Sequence, residues 1–463
     1  MIALFVAGCT STFVAPKFTS TDNPYFESGD VNNRGYKQEE ASQFIEFCVD
    51  LDNQDDRLDR EHNGLPPDPN LGAQIDDKLW DPMPIYDSRA IVAEDVDRYF
   101  HGAQNGNDEH WAKLYEEIRR KANTISPNWD AKAIAKNPNL NGFGPWQNAW
   151  TLYKGRGPYE GAYAIAIRGT VLSNAPSVVE DAILNPVEAQ GFLDPHVDFA
   201  GVSDASLHGG FAHATLTLML DGRYGVLHVL RDKGALPDKD RVQDGARLYI
   251  IGHSQGAAMA TMVHAFMHYA LRHDTKINPA NPIFKLQGAG YRLKSYGFAQ
   301  PKPGNYTFAS DFARITQKSD NAIVVNNAID PVPKIPLTLQ TLADLDSDIT
   351  GNSFGAKVYR GIAGIGASIR HFFAMGGEEK VRKSAEHYGY FYNYPTIKID
   401  GKNEKTGASW DFVPAGRVII VYGTVPTEPE KQKDMFYQHH ATTYRGLINT
   451  QLPPETGQPK SRD

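Results

Sequence analysis

Apolar positions in this chain come mostly in short unbroken runs, bounded by glycine or polar turns, and those runs place its strands. Residues 162–167 (Ala-Tyr-Ala-Ile-Ala-Ile), 248–251 (Leu-Tyr-Ile-Ile), 295–298, 321–326 and 417–422 each read as a strand. Residues 257–271 are small and apolar over a length that suits a helix. Strands and helices therefore alternate from Trp150 onward, which predicts an α/β fold. Earlier in the chain the pattern differs. Residues 38–48 and 111–125 carry apolar positions at helical spacing, whereas the charged stretch 50–64 and the proline-bearing stretch 65–84 suit exposed connections. The expected organisation is a truncated lipoprotein-like signal and tether over 1–32, a helical and loop-rich region over 33–149 and an α/β domain over 150–463. No fixed-period repeat appears, and low complexity is confined to 361–367.

Composition narrows the function classes. With 463 residues, 41% of them hydrophobic, the chain can bury a large core. A net charge of -8 without a clustered basic face argues against nucleic acid as a partner. No run of eighteen apolar residues occurs. Residues 1–9 resemble the end of a secretory signal, with Val6-Ala7-Gly8-Cys9 similar to a bacterial lipobox that would lipidate Cys9 and tether the protein to the cell envelope. The stretch lacks a basic segment and is short for that role, so the competing reading is an apolar N-terminus on a cytoplasmic protein, with Cys9 and Cys48 as plain thiols. Acidic stretches around Asp50 to Asp56 and Asp344 to Asp348 lack the glycine and distal glutamate of a calcium loop, and read as solvated loops.

Chemistry enters at Gly252-His253-Ser254-Gln255-Gly256, a G-x-S-x-G pattern that follows the 248–251 strand and precedes the small-residue helix. A serine on such a turn sits in strained backbone, and both glycines have a steric reason as strand folds back into helix. A serine hydroxyl needs a base, and the base needs a carboxylate to hold its tautomer. Asp330, just past the 321–326 strand and before Pro331, is the candidate acid. For the base, His387 competes with the pair His439-His440, and the pair is better placed because a loop after the 417–422 strand can carry it to the sheet edge. The oxyanion hole needs the N–H of Gln255 and a second donor, for which Thr170 in the turn after the 162–167 strand is the candidate.

Taken in order, the segments from Ile165 to Thr170, Leu207 to Phe211, Gly252 to Gly256, Tyr296 to Asn305 and Asp330 to Pro336 resemble the fungal-type, or class 3, lipases over about residues 150–450. The resemblance implies an α/β-hydrolase fold: a central, mostly parallel sheet flanked by helices, with a helical N-terminal extension and lid or cap insertions. It implies Ser254 as nucleophile, Asp330 as acid, Thr170 and Gln255 as oxyanion-hole residues, and His439 as base with Tyr444 in register and His440 in reserve. Residues 172–206 take the place of a lid, with 177–183 as its helical part. The apolar stretch 361–375 reads as a buried insertion helix or a second cap. Gln255 and Ala257 replace the family's usual leucine and glycine. The implied activity is hydrolysis of carboxylic esters, acylglycerols first and soluble short-chain esters as the alternative, without metal or cofactor. A lipid-binding surface protein that has lost activity is the reading from a different class.

Overall fold

The structure, a computed structural model, describes residues 35–62, 72–83, 148–170, 186–189, 205–220, 225–231, 241–271, 286, 288–336, 397–399, 402–404, 412–429, 431, 434 and 436–451. Its centre is a seven-stranded sheet in the order β1, β2, β3, β6, β7, β9, β13. The strands are β1 (Trp80–Pro82), β2 (Trp150–Gly155), β3 (Ala162–Ile167), β6 (Arg247–His253), β7 (Arg292–Phe298), β9 (Ala322–Asn327) and β13 (Arg417–Val421). From β3 to β13 every neighbour is parallel, while β1 and β2 add an antiparallel edge. A second, smaller sheet joins β12 (Phe412–Val413), β8 (Gly304–Asn305), β5 (Ser206–His208) and β4 (Pro186–Glu188), and β10 (Ile397–Ile399) pairs with β11 (Lys402–Glu404). The helices are α1 (Gln38–His62), α2 (Gly209–Leu220), α3 (Val226–Arg231), α4 (Gln255–Ala270), α5 (Tyr306–Thr316) and α6 (Ala441–Gln451). This is a mostly parallel sheet with helices on both faces, the α/β-hydrolase arrangement expected from the sequence.

Burial on both faces explains why the central strands read as continuous apolar runs. Along β3, Tyr163, Ile165 and Ile167 point into the core shared with α2 to α5, and Ala162, Ala164 and Ala166 point to α1 and α6. The alanines leave room on that second face for aromatic rings. Phe44 and Phe47 of α1 pack there with Trp80, Tyr249 and Tyr296, and Phe47 stacks on Tyr153 at 4.0 Å between ring centres. Charged groups are carried inward as well. Glu40 of α1 is buried and accepts from Lys294 Nζ at 2.6 Å, Tyr296 Oη at 2.8 Å and Tyr249 Oη at 3.0 Å, so its lost hydration is replaced. The opposite end of the chain meets α1 as well: Ser42 Oγ donates to Asn449 Oδ1 of α6 at 2.7 Å, and Arg445 lies 3.3 Å from Glu46.

The charged stretch from Asp50 is a correction to the sequence reading. It is the second half of α1, because no glycine or proline interrupts residues 38–62 and the first inward positions of the stretch find partners. Leu51 is buried, Asp50 accepts from Tyr153 Oη at 3.2 Å, and Asp52 reaches the sheet edge described below. Similarly, the stretch 65–84 supplies β1, whose Pro82 lacks an N–H and is tolerated on an edge strand. Residues before 150 thus add a helix and a strand to the central domain. Cys9, the stretch 111–125, the expected lid helix 177–183, the insertion 361–375 and His387 lie outside the described residues.

Candidate active site

Ser254 leaves β6 and enters α4 with φ 56° and ψ −131°, a left-handed conformation that a residue with a side chain adopts only under constraint. Two glycines supply the room. A Cβ on Gly252 would meet Ala257 N at 2.7 Å, and one on Gly256 would meet Arg168 O at 2.7 Å and Ile167 O closer still. The α4 N-terminus can therefore sit directly against the end of β3. Ser254 N–H donates to Phe298 O at 3.0 Å, which ties the turn to β7.

The partners arrive from the carboxyl ends of other strands, where an open α/β sheet gathers its ligands. Asp330 follows β9 by three residues and is fully buried. Its Oδ1 accepts the Val332 N–H at 2.9 Å, and its Oδ2 accepts the Tyr444 hydroxyl at 2.7 Å. Tyr444 Oη accepts in turn from Asn327 N–H at 2.8 Å, and burial followed by the neighbouring Asp330 pushes its pKa well up, so it stays a donor. His439 ends the 3-10 turn Tyr437–His439 before α6. Its Nδ1 lies 2.9 Å from Asp330 Oδ2 and its Nε2 lies 2.8 Å from Ser254 Oγ. An acceptor-only carboxylate at Nδ1 fixes the N–H there and leaves the Nε2 lone pair facing the serine hydroxyl. Burial lowers the His439 pKa below the ordinary 6.5, the neighbouring His253 lowers it further, and Asp330 opposes both. The imidazole is consequently neutral at pH 7. Its neighbour His440 faces away, with Nε2 at 2.7 Å from Asp434 at the surface.

The proposed oxyanion donors flank the serine. Gln255 is the first residue of α4, so its backbone N–H stands at the helix N-terminus beside Ser254. The turn after β3 runs alongside: a Cβ on Gly169 would lie 3.1 Å from Ser254 Cβ and 2.9 Å from His253 O. Thr170, next in that turn, is half-buried. All five sequence candidates thus fall on elements that converge at one sheet edge.

Two further residues at this edge escaped the sequence reading. His253 places Nδ1 2.8 Å from Asp52 Oδ2 and Nε2 2.7 Å from the backbone carbonyl of His439. Asp52 Oδ1 also accepts the Gly169 N–H at 3.1 Å. The signal was present in the helical pattern. Ala41, Phe44, Ile45 and Cys48 form the inward stripe of α1, and Asp52 continues it one turn after Cys48. An acidic residue on an apolar stripe is the cue. Among the described residues, no group of three or more His, Cys, Asp or Glu could hold a metal ion.

Residues 164–340 match the family model described as lipase, class 3. The secreted mono- and diacylglycerol lipase of Malassezia globosa is 29% identical over 248 residues, which cover 52% of this chain. The matched part spans 66% of that relative's length. Among solved structures, M37 lipase is 16% identical with a TM-score of 0.36, covering 77% of this chain and 90% of that one. A fungal lipase in complex with an inhibitor is 18% identical with a TM-score of 0.28, covering 49% and 76%.

Proposed function

We propose that this chain, residues 164–340 of which match the class 3 lipase family model, is a serine hydrolase that cleaves the carboxylic esters of acylglycerols. The observation that carries the reading is the hydrogen-bonded series Ser254 Oγ, His439, Asp330, with contacts of 2.8 and 2.9 Å. In this reaction Ser254 Oγ bonds to the ester carbonyl carbon while its proton passes to His439 Nε2. The negative charge on the carbonyl oxygen is met by the N–H of Gln255 and by Thr170. Collapse of the tetrahedral intermediate breaks the bond to the leaving alcohol, whose oxygen takes the proton from His439, and the acyl group remains on Ser254. Water then gives a proton to His439 and attacks the acyl carbon, and the proton returns to Ser254 Oγ as the carboxylic acid leaves. Asp330, held by Tyr444 and Val332, keeps His439 in the required tautomer throughout.

The acylglycerol assignment is supported by the mono- and diacylglycerol lipase relative, and that relative's secretion supports an extracellular location for this chain. Attachment through a lipidated Cys9 rests on Val6 to Cys9 alone, and the intact mass of the native protein tests it. Labelling with a fluorophosphonate is the decisive experiment for the hydrolase reading. Wild type should react and Ser254→Ala should not, and His439→Ala should lose turnover while His387→Ala keeps most of it. Equal labelling of wild type and Ser254→Ala refutes the mechanism. A rate that does not jump when a glyceride substrate passes its solubility limit would replace lipase by soluble-ester esterase.

A further inference from the structure

The Asp52 and His253 pair lies behind the triad and takes no part in the steps above. Both nitrogens of the buried His253 ring face oxygen atoms that only accept: Asp52 Oδ2 at 2.8 Å and the His439 carbonyl at 2.7 Å. A neutral imidazole has one N–H and can satisfy one of them. Asp52 has its other oxygen engaged as an acceptor too, from Gly169 N–H at 3.1 Å. All of these contacts are matched once the pair holds one proton more than a neutral imidazole beside a carboxylate, and the imidazole is ordinarily the stronger base of the two.

We propose that Asp52 and His253 form an imidazolium–carboxylate positioning pair, which grips the main chain of His439 and the turn that carries Thr170 at the same time. The inference rests on the hydrolase reading for its catalytic meaning, while its geometry stands independently. Asp52 comes from α1, more than a hundred residues before the turn it holds, so one side chain registers the base and the oxyanion loop to a common helix. The pair also acts electrically. The His253 and His439 rings are 4.8 Å apart, close enough for a fixed positive charge to disfavour a second one. Other groups around His253 are Asp330 beyond His439, the Tyr444 ring at 5.8 Å and, one turn before Asp52 on α1, Cys48. Burial and then Asp52 raise the Cys48 thiol, so it is neutral, and Tyr444 is neutral for the reason given above. Burial opposes protonation of His253, but the Asp52 hydrogen bond and the charges of Asp52 and Asp330 outweigh it, and its pKa is raised.

Two measurements test the pair. In protein labelled with 15N-histidine at pH 7, where an ordinary histidine is mostly neutral, both ring nitrogens of His253 should carry hydrogen, with the signal identified by its absence in His253→Gln. In Asp52→Asn the ring should retain hydrogen on Nε2 alone. Asp52→Asn removes the His253 cation and, with it, the weaker opposing charge of Asp52 on His439, so the acidic limb of kcat/KM for a p-nitrophenyl ester should move up, by about half to one pH unit. A purely structural role for Asp52 would lower kcat and leave that limb in place. A single protonated nitrogen in the wild-type His253, or an unmoved limb in folded Asp52→Asn, overturns the proposal. The ring signals need no turnover, so failure of Ser254 labelling would remove the hydrolase reading without deciding this one.

Discussion

Gly256→Ala probes the contact between α4 and the end of β3, and its cost can be worked from the structure. A methyl group there would lie 2.7 Å from Arg168 O and nearer to Ile167 O, both rigid backbone atoms. Reaching ordinary van der Waals contact with Ile167 O, 2.4 Å away, takes a separation of about 1 Å, and overpacking of this kind costs about 1–3 kcal/mol. The displaced atoms lead directly into Gly169 and Thr170, so the proposed oxyanion donors move away from Ser254 by a similar distance. Misplacement of about 1 Å has been enough to lower rates about a hundredfold, and the expected loss in kcat/KM is about ten- to a hundredfold. The assay is steady-state hydrolysis of a p-nitrophenyl ester, run beside a urea denaturation curve to show that the variant is folded. Stability lower by about 1–3 kcal/mol with an intact two-state transition, together with the rate loss, is the predicted pair of results. A folded variant with wild-type kcat/KM would show that the β3 turn does not need to touch the elbow, and the oxyanion assignment of Thr170 would fail with it.

Two further outcomes follow from features away from the serine. His264 is buried against Ser295 Oγ at 2.8 Å, and desolvation lowers its pKa to about 3. Below pH 6.5 the unfolded chain binds a proton that the folded chain refuses, so this residue withdraws stability as pH falls, by about 1.4 kcal/mol per unit down to about pH 3. In urea denaturation, the stability difference between wild type and His264→Asn should shift by about 2 kcal/mol in favour of the variant between pH 7 and pH 5. A constant difference would mean that His264 is charged or exposed in the fold. Gly446, exposed in the middle of α6, has open space where a side chain would be. Gly446→Ala should raise stability by about 0.5–1 kcal/mol, and a lower melting temperature would refute the helical assignment there.

The parts of the fold and site that were legible in the sequence are those set by local rules. Strand β6 and the elbow could be read because an apolar run, two glycines and a small-residue helix are each demanded by sterics within a few residues. Asp330 and His439 were legible from their order and from the strands that precede them. Asp52 was not, because the physics that placed it is long-range. A run of acidic residues carries the pattern of a solvated loop until the sheet edge with which it pairs is known. His253 was hidden for a related reason. As the variable residue inside G-x-S-x-G it looks like a spacer, and only the fold shows both ring nitrogens engaged.

The clasp between α1 and α6 has a consequence for the order of events during synthesis. Ser42 and Asn449 are 407 positions apart, and His439 follows Ser254 by 185. At about 5–20 residues per second, the serine leaves the ribosome about ten to forty seconds before its base does. Strands β3, β6 and β7 are neighbours that can pair during that interval, with the elbow already formed between them. Until the last helix is made, α1 lacks its partner and Ser254 has nothing to remove its proton. On the proposed mechanism a nascent chain is therefore latent, and activity begins only when its two most distant described helices have met.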